Sequence, residues 1–108
     1  MSYSIIATLR FKRRIKKLAK KYASIQSDVS DLAQSLRANP KQGVALGNDC
    51  FKIRLAIKSK GKGKSGGARV VTYVKVIEET IFLLTVFDKS DRATISENDL
   101  NKLLKELK

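Results

Sequence analysis

The chain has 108 residues, of which 23 are Lys or Arg and 10 are Asp or Glu, a formal charge of +13. That length makes one domain, residues 1–108, and a 43% apolar composition supports a folded core rather than a disordered basic tail. With no histidine and a single cysteine, Cys50, the sequence excludes Ser-His-Asp and Cys-His nucleophile systems, His-ligated metals, an internal disulfide and cysteine zinc sites. No apolar run reaches the roughly 18 residues of a membrane span, and the first residues do not resemble a cleavable signal. A cytoplasmic protein without membrane association is expected.

The positive charge falls in two blocks. Residues 1–27 carry eight basic side chains and no acid, and residues 50–77 carry another eight and no acid. The segments 28–49 and 78–108 are close to neutral, at −1 and −2. Clustered charge of this kind attracts polyanions, nucleic acid above all, through steering and counterion release.

Residues 4–9 are short and β-branched and read as a strand. Phe11, Ile15, Leu18 and Tyr22 recur at helical spacing with Lys and Arg over the remaining surface, which predicts an amphipathic helix over 9–22. That stripe suits a helix packed on a sheet better than one lying on an anionic membrane. Val29, Leu32 and Leu36 define a second helix that ends at Asn39-Pro40, completing a helical hairpin. Residues 41–50, with two Gly and an Asn-Asp pair, read as a loop. Residues 51–58 alternate, with Phe51, Ile53, Leu55 and Ile57 on one side and Lys52, Arg54 and Lys58 on the other. Residues 58–67 read as a flexible Gly-rich connection, 68–77 as a second strand of this sheet, and 80–87 as a strand buried on both faces. Ser96 begins a last helix with Asp99 at the capping-box position, an Ile95–Leu100 staple, and a stripe of Leu100, Leu103, Leu104 and Leu107. The expected fold class is α+β, a small βααβββα domain. Its N-terminal helical hairpin packs on a twisted, mainly antiparallel sheet, and a C-terminal helix follows.

Period-two alternation lets Lys52, Arg54 and Arg69 share one sheet face. A row of cations there is either a solvated surface or a site for phosphoryl chemistry, in which Arg stabilises charge growing on phosphate oxygens. A Lys among other cations has a depressed pKa and can move protons where histidine is missing. KGKGK at 60–64 lacks the spacing of a nucleotide-binding P-loop; its Lys60, Lys62 and Lys64 instead suit a mobile grip on RNA backbone. Tyr73 shares the face of Arg69, where stacking on a base and packing in the core both stay open. Cys50 reads as a small, partly buried residue without a redox task.

The leading strand and hairpin ending in ANPKQG, then CFKIRLA, KGKGKSGGARVVTY and FLLTVFDKSD, with a final amphipathic helix, cover nearly the whole chain. Together they resemble the RelE/ParE superfamily of bacterial toxin–antitoxin toxins, closest to the RelE/HigB-type messenger-RNA interferases. The resemblance implies a toxin that enters the A site of the ribosome, on its small subunit, and cleaves mRNA there by attack of the 2′-OH, without metal or small-molecule cofactor. It also implies a cognate antitoxin as partner. Carried over by position, Lys52 would assist as base or orient the 2′-OH, Arg54 would hold the phosphate, and Arg69 would stabilise it, with Lys89 near the scissile group. Arg92 would share that task, and Lys58, Lys60, Lys62, Lys64, Arg13 and Lys17 would bind RNA. Two departures stand out: Asp88 occupies a position where many members have Gly, and Ile95 and Ser96 stand where some have a Tyr. The alternatives are a ParE-like inhibitor of DNA gyrase and a non-catalytic RNA- or ribosome-binding protein.

Overall fold

The structure, a computed structural model, describes residues 3–61, 63–92 and 94–107, with the backbone alone for Lys64 and Ser65. Strand β1 (Ser4–Ala7) leads into helices α1 (Leu9–Ala19) and α2 (Ile25–Ala38). Strands β2 (Val44–Gly47) and β3 (Cys50–Leu55) follow, then a one-turn helix α3 (Gly63–Gly66), β4 (Ala68–Lys75), β5 (Thr80–Asp88) and helix α4 (Glu97–Lys105). The five strands form one mixed sheet in the order β1-β5-β4-β3-β2, with β1 parallel to β5 and the other pairs antiparallel. No described helix is long and apolar enough to cross a membrane.

Alternation along the strands builds a core on each face. On one side Ile53, Leu55, Val70, Val74, Ile81, Leu83 and Val86 pack against Phe11, Tyr22, Ile25, Leu32 and Leu36 of the helical hairpin. On the other, Cys50, Val71, Leu84 and Phe87 meet Leu100 and Leu103 of α4. The last helix begins as its sequence dictates: Ser96 Oγ accepts the Asp99 backbone N–H at 3.1 Å. Strand β1 is short and leaves the second half of β5 with an open edge. Helix α1 closes it, since its N-cap Thr8 lies 3.0 and 3.1 Å from the carbonyls of Leu83 and Leu84, and Arg14 Nε donates to Val86 O at 3.2 Å.

Three features correct the sequence reading. Residues 41–50 contain the fifth strand, β2, joined to β3 by a tight turn in which Gly47, Asn48 and Asp49 all have positive φ. The connection 58–67 is not a free linker: Lys58–Lys60 form a 3₁₀ turn, and Asp28 and Ser24 of the hairpin accept the backbone N–H groups of Lys58 and Ser59 at 3.1 and 2.8 Å. Finally, β5 carries a bulge, because Val71 pairs with Thr85 while Thr72 pairs with Leu83. Leu84 is the extra residue, so Leu84 and Thr85 both face α4, Phe87 stays on that side, and Asp88 turns to the helical hairpin.

Gly67 is where the 58–67 connection rejoins the sheet. A Cβ there would lie 2.0 Å from Leu55 O and 3.0 Å from Ile57 N. Gly67→Ala is therefore expected to destabilise the fold by about 1–3 kcal/mol through overpacking, read as a lower midpoint in urea.

Candidate active site

Strands β3 and β4 bring Arg54 directly opposite Arg69, and the same cross-strand row continues to Phe87 on β5. Lys52 lies two pairs further along on the same face, opposite Val71. Like charges set opposite each other repel. Arg69 is only 5% exposed, and its pKa is lowered by burial first and by Arg54 second. Its Nη1 donates to Ala68 O at 3.1 Å, which orients the guanidinium. Two arginines on paired strands, one exposed and one desolvated, bring like charge together where an anion would be stabilised.

The segment after β5 crosses this row. The Arg92 guanidinium lies 5.0 Å from the centre of the Phe87 ring, while its Nε donates to Thr94 O at 2.9 Å and its Nη2 is 3.6 Å from Asp99. Lys52 Nζ donates to Thr94 Oγ1 at 3.3 Å. Lys89 is exposed, and its backbone N–H donates to Gly67 O at 3.1 Å, two residues before Arg69. The positions assigned to Lys52, Arg54, Arg69, Lys89 and Arg92 thus converge on the end of the sheet where β3, β4 and β5 meet the 89–96 segment.

The remaining cations behave differently. Arg13 and Lys17 are exposed on α1 and line a groove with Ile6, Leu9, Leu103 and Leu107. Lys58 is exposed and pairs with Asp31 at 3.3 Å. Lys62, and the side chain of Lys64, lie outside the described residues. Lys60 is not a mobile grip on RNA, because its side chain is only 10% exposed and its Nζ binds Asp88 Oδ1 and Ser90 Oγ, each at 2.8 Å. Asp88 is 1% exposed and also accepts from Tyr22 Oη at 2.5 Å and from the Ser90 backbone N–H at 2.9 Å. Those donors hold its carboxyl far below the usual carboxylate range, against the opposing effect of burial. The ammonium of Lys60 also lies 5.4 Å from the Tyr22 ring centre. Asp88 thereby ties the α1–α2 junction, the 58–67 connection and the end of β5 into one buried knot directly behind Lys89.

Sequence reasoning missed that knot, and it also missed Arg10 and Arg14, which reach from α1 to the α4 side of the sheet near Thr85 and Phe87. Tyr73 resolves toward packing: its ring stacks on Phe82 at 6.0 Å and joins the cluster that contains Leu104 and Leu107. Cys50 is buried, which with Asp49 pushes its thiol up to about 11, a poor nucleophile at neutral pH. Among the described residues no three His, Cys, Asp or Glu side chains group to hold a metal ion.

A mixed five-stranded sheet, a helical hairpin on one face, a short helix on the other and a strip of cations between strand ends define a small α+β domain. Residues 8–108 match the family described as the RelE toxin of the RelE / RelB toxin–antitoxin system, and the chain belongs to that family. It is a toxin of the toxin–antitoxin type. Among solved structures, it is similar to a double Arg-to-Ala mutant of the E. coli toxin RelE in the free state, at 16% identity, with all of both chains covered and a TM-score of 0.63. The isolated E. coli RelE toxin matches at 19% identity and a TM-score of 0.62, over 99% of this chain and 100% of that one. A RelBE2 toxin–antitoxin complex from Mycobacterium tuberculosis matches at 17% identity and a TM-score of 0.58, over 82% of this chain and 99% of that one. These likenesses show the fold, and they agree with the α+β architecture expected from the sequence.

Proposed function

We propose that this toxin is a ribosome-dependent endoribonuclease that cuts mRNA in the ribosomal A site and so arrests translation. The observation that carries the reading is the Arg54–Arg69 pair, two arginines set opposite each other on β3 and β4 with Lys52 two residue pairs away on the same face. In the proposed reaction the 2′-OH of the nucleotide before the cut attacks the adjacent phosphorus while the bond to the 5′-oxygen of the next nucleotide breaks. The products are a 2′,3′-cyclic phosphate and a 5′-OH. Charge grows on the non-bridging oxygens, where Arg54 and Arg69 supply guanidinium donors, that of Arg69 already oriented by Ala68 O. Lys52, tethered through Thr94, orients the 2′-OH and in this scheme takes its proton. In this scheme Lys89, exposed just after β5, gives its proton to the departing 5′-oxygen, which leaves as the 5′-OH. The reaction as proposed requires no metal or cofactor.

A cognate antitoxin is the second proposed partner. The matching RelBE2 structure is a toxin–antitoxin complex, as is the intact E. coli RelBE complex, which matches at 19% identity and a TM-score of 0.51. Ribosomes as target imply a cytoplasmic site of action. Primer extension on mRNA after brief expression tests the reading. Cuts in codon phase are expected; intact transcripts with DNA damage would move the protein to gyrase inhibition, and intact transcripts without it to plain RNA binding.

The α1 cations are assigned to ribosome binding and not to chemistry. Replacing Arg13 and Lys17 together by Ala is expected to lower the slope of log affinity against log salt by about 1.4 to 1.8, at about 0.7–0.9 per phosphate contact. Ribosome co-sedimentation over a salt series measures it, and single-turnover cleavage at saturating toxin should stay within twofold.

A further inference from the structure

The bulge in β5 turns one polar side chain into a cavity that the proposed reaction leaves unused. Thr85 is only 8% exposed, and its hydroxyl has no hydrogen-bond partner among the described residues. It lies at the wall of a cavity of about 200 Å³ between α1, β5 and α4. Four cations line the same space, Arg10, Arg14, Arg92 and Lys102, against one acid, Asp99.

The cations are largely immobilised in ways that leave donors over. Arg14 commits its Nε to Val86 O, so its two terminal nitrogens keep their hydrogens for another acceptor. Arg92 is steadied by Thr94 O and the Phe87 ring. Arg10 is clamped by Glu106 through Nε at 3.0 Å and Nη2 at 2.6 Å. Lys102 is exposed and has no partner among the described residues. An unpartnered hydroxyl on the cavity wall, a hydrogen-bonded guanidinium and an exposed ammonium around a small polar space suit a tetrahedral oxyanion. Apolar ligands would leave Thr85 and Arg14 desolvated and unpaired.

We infer that this cavity is a second phosphate subsite, formed by Thr85, Arg14, Arg92 and Lys102, which holds an RNA phosphate next to the scissile one. The inference rests on the nuclease reading above. Phe87 joins the two sites: it is the cross-strand partner of Arg69, it lines the cavity, and Arg92 lies over its ring. Thr85 is the diagonal neighbour of Arg69 on the same face, within about 7–8 Å in an antiparallel pair, a step suited to successive phosphates of one strand. The cavity would fix the register of the RNA while Arg54 and Arg69 act on the bond that breaks.

The test uses the full-length protein and uncleavable 2′-O-methyl dinucleotides with no terminal phosphate, a 5′-phosphate or a 3′-phosphate, titrated by NMR. One phosphorylated form is expected to bind about tenfold tighter than the plain form, the size of one charge-assisted contact, with shifts at the Thr85 and Phe87 amides. In Thr85→Val and Lys102→Glu, two variants that remove no contact within the described structure, that gain should fall below twofold while plain-dinucleotide affinity is unchanged. The inference is overturned by equal affinities for all three probes, by a gain that survives both variants, or by variants that weaken every probe alike. Saturation of the cavity signals by a Glu-rich peptide and by neither phosphorylated dinucleotide would give the space to an acidic protein and also overturn it. Failure of the nuclease reading looks different: plain-dinucleotide binding that is indifferent to Arg69→Ala.

Discussion

Arg69→Ala is expected to lower mRNA cleavage about 100- to 1000-fold, the cost of removing one preorganised donor to transition-state charge, about 2.7–4 kcal/mol. The size follows from burial. Arg69 is 5% exposed and already desolvated, so it has little reorganisation to undergo when charge develops on the phosphate. The fold should survive, because the substitution also removes the repulsion between Arg69 and Arg54 on the neighbouring strand. Arg69→Lys is the informative control: it keeps the charge but loses the planar fork, and should recover binding better than rate. Growth assays on induced cells, primer extension and a thermal unfolding curve together separate lost chemistry from lost folding. Continued arrest with cut transcripts in Arg69→Ala would falsify its role as phosphate stabiliser.

The elements that the sequence made legible are those whose local pattern and tertiary environment agree. Lys52, Ile53, Arg54 and Leu55 alternate because Ile53 and Leu55 enter the core under the helical hairpin while Lys52 and Arg54 lie outside both cores, and the observed strand keeps that phase. Ser96 and Asp99 announced α4 because capping is a local interaction. Strand β2 was illegible: Val44, Ala45 and Gly47 are exposed on an edge, so they carry no alternation, and the turn signal at Asn48-Asp49 belongs to a hairpin only once a partner strand is known. The order in 58–67 was hidden for a related reason. Its composition is that of a linker, and what fixes it comes from Ser24, Asp28 and Asp88, which are 28 to 35 positions away in the chain.

The cationic row at Lys52, Arg54 and Arg69 was readable from alternation. The walls of the Thr85 cavity were not. Arg10 and Arg14 looked like part of a solvated helix face, and only the shortness of β1 brings α1 against the open half of β5. The bulge at Leu84 leaves no mark in a mainly apolar run such as TIFLLTVF, yet it decides that Thr85 faces the cavity and Asp88 the hairpin. One signal was available and went unread. An acid directly after a fully buried strand must either reach water or find partners, and Asp88 finds Tyr22, Lys60 and Ser90.

That knot supports the second large effect: Asp88→Ala should cost about 3–5 kcal/mol, because it leaves the Lys60 ammonium buried beside Tyr22 without its counter-ion. Asp88→Asn should cost nearly as much, since it keeps the size and loses the charge. Lys60→Met in the Asp88→Asn background should restore part of the loss by removing the stranded cation, which a double-mutant cycle in urea would register as coupling. The pH dependence follows from both partners. The folded carboxyl of Asp88 titrates well below its unfolded value, so its contribution is complete above the ordinary Asp range and falls away as the solution is acidified below about pH 4. Lys60 is shifted upward by its bond to Asp88, so its contribution is complete below the unfolded Lys value and is lost above about pH 10.4. The stability gap between wild type and Asp88→Asn should therefore be flat across neutral pH and close on acidification. A gap of the same size at pH 7 and at low pH would mean that Asp88 acts by shape alone. Because the knot holds the start of the 89–96 segment, cleavage by a folded Asp88→Asn protein should fall further than its ribosome binding, through misplacement of Lys89 and Arg92 and not through loss of charge at the site itself.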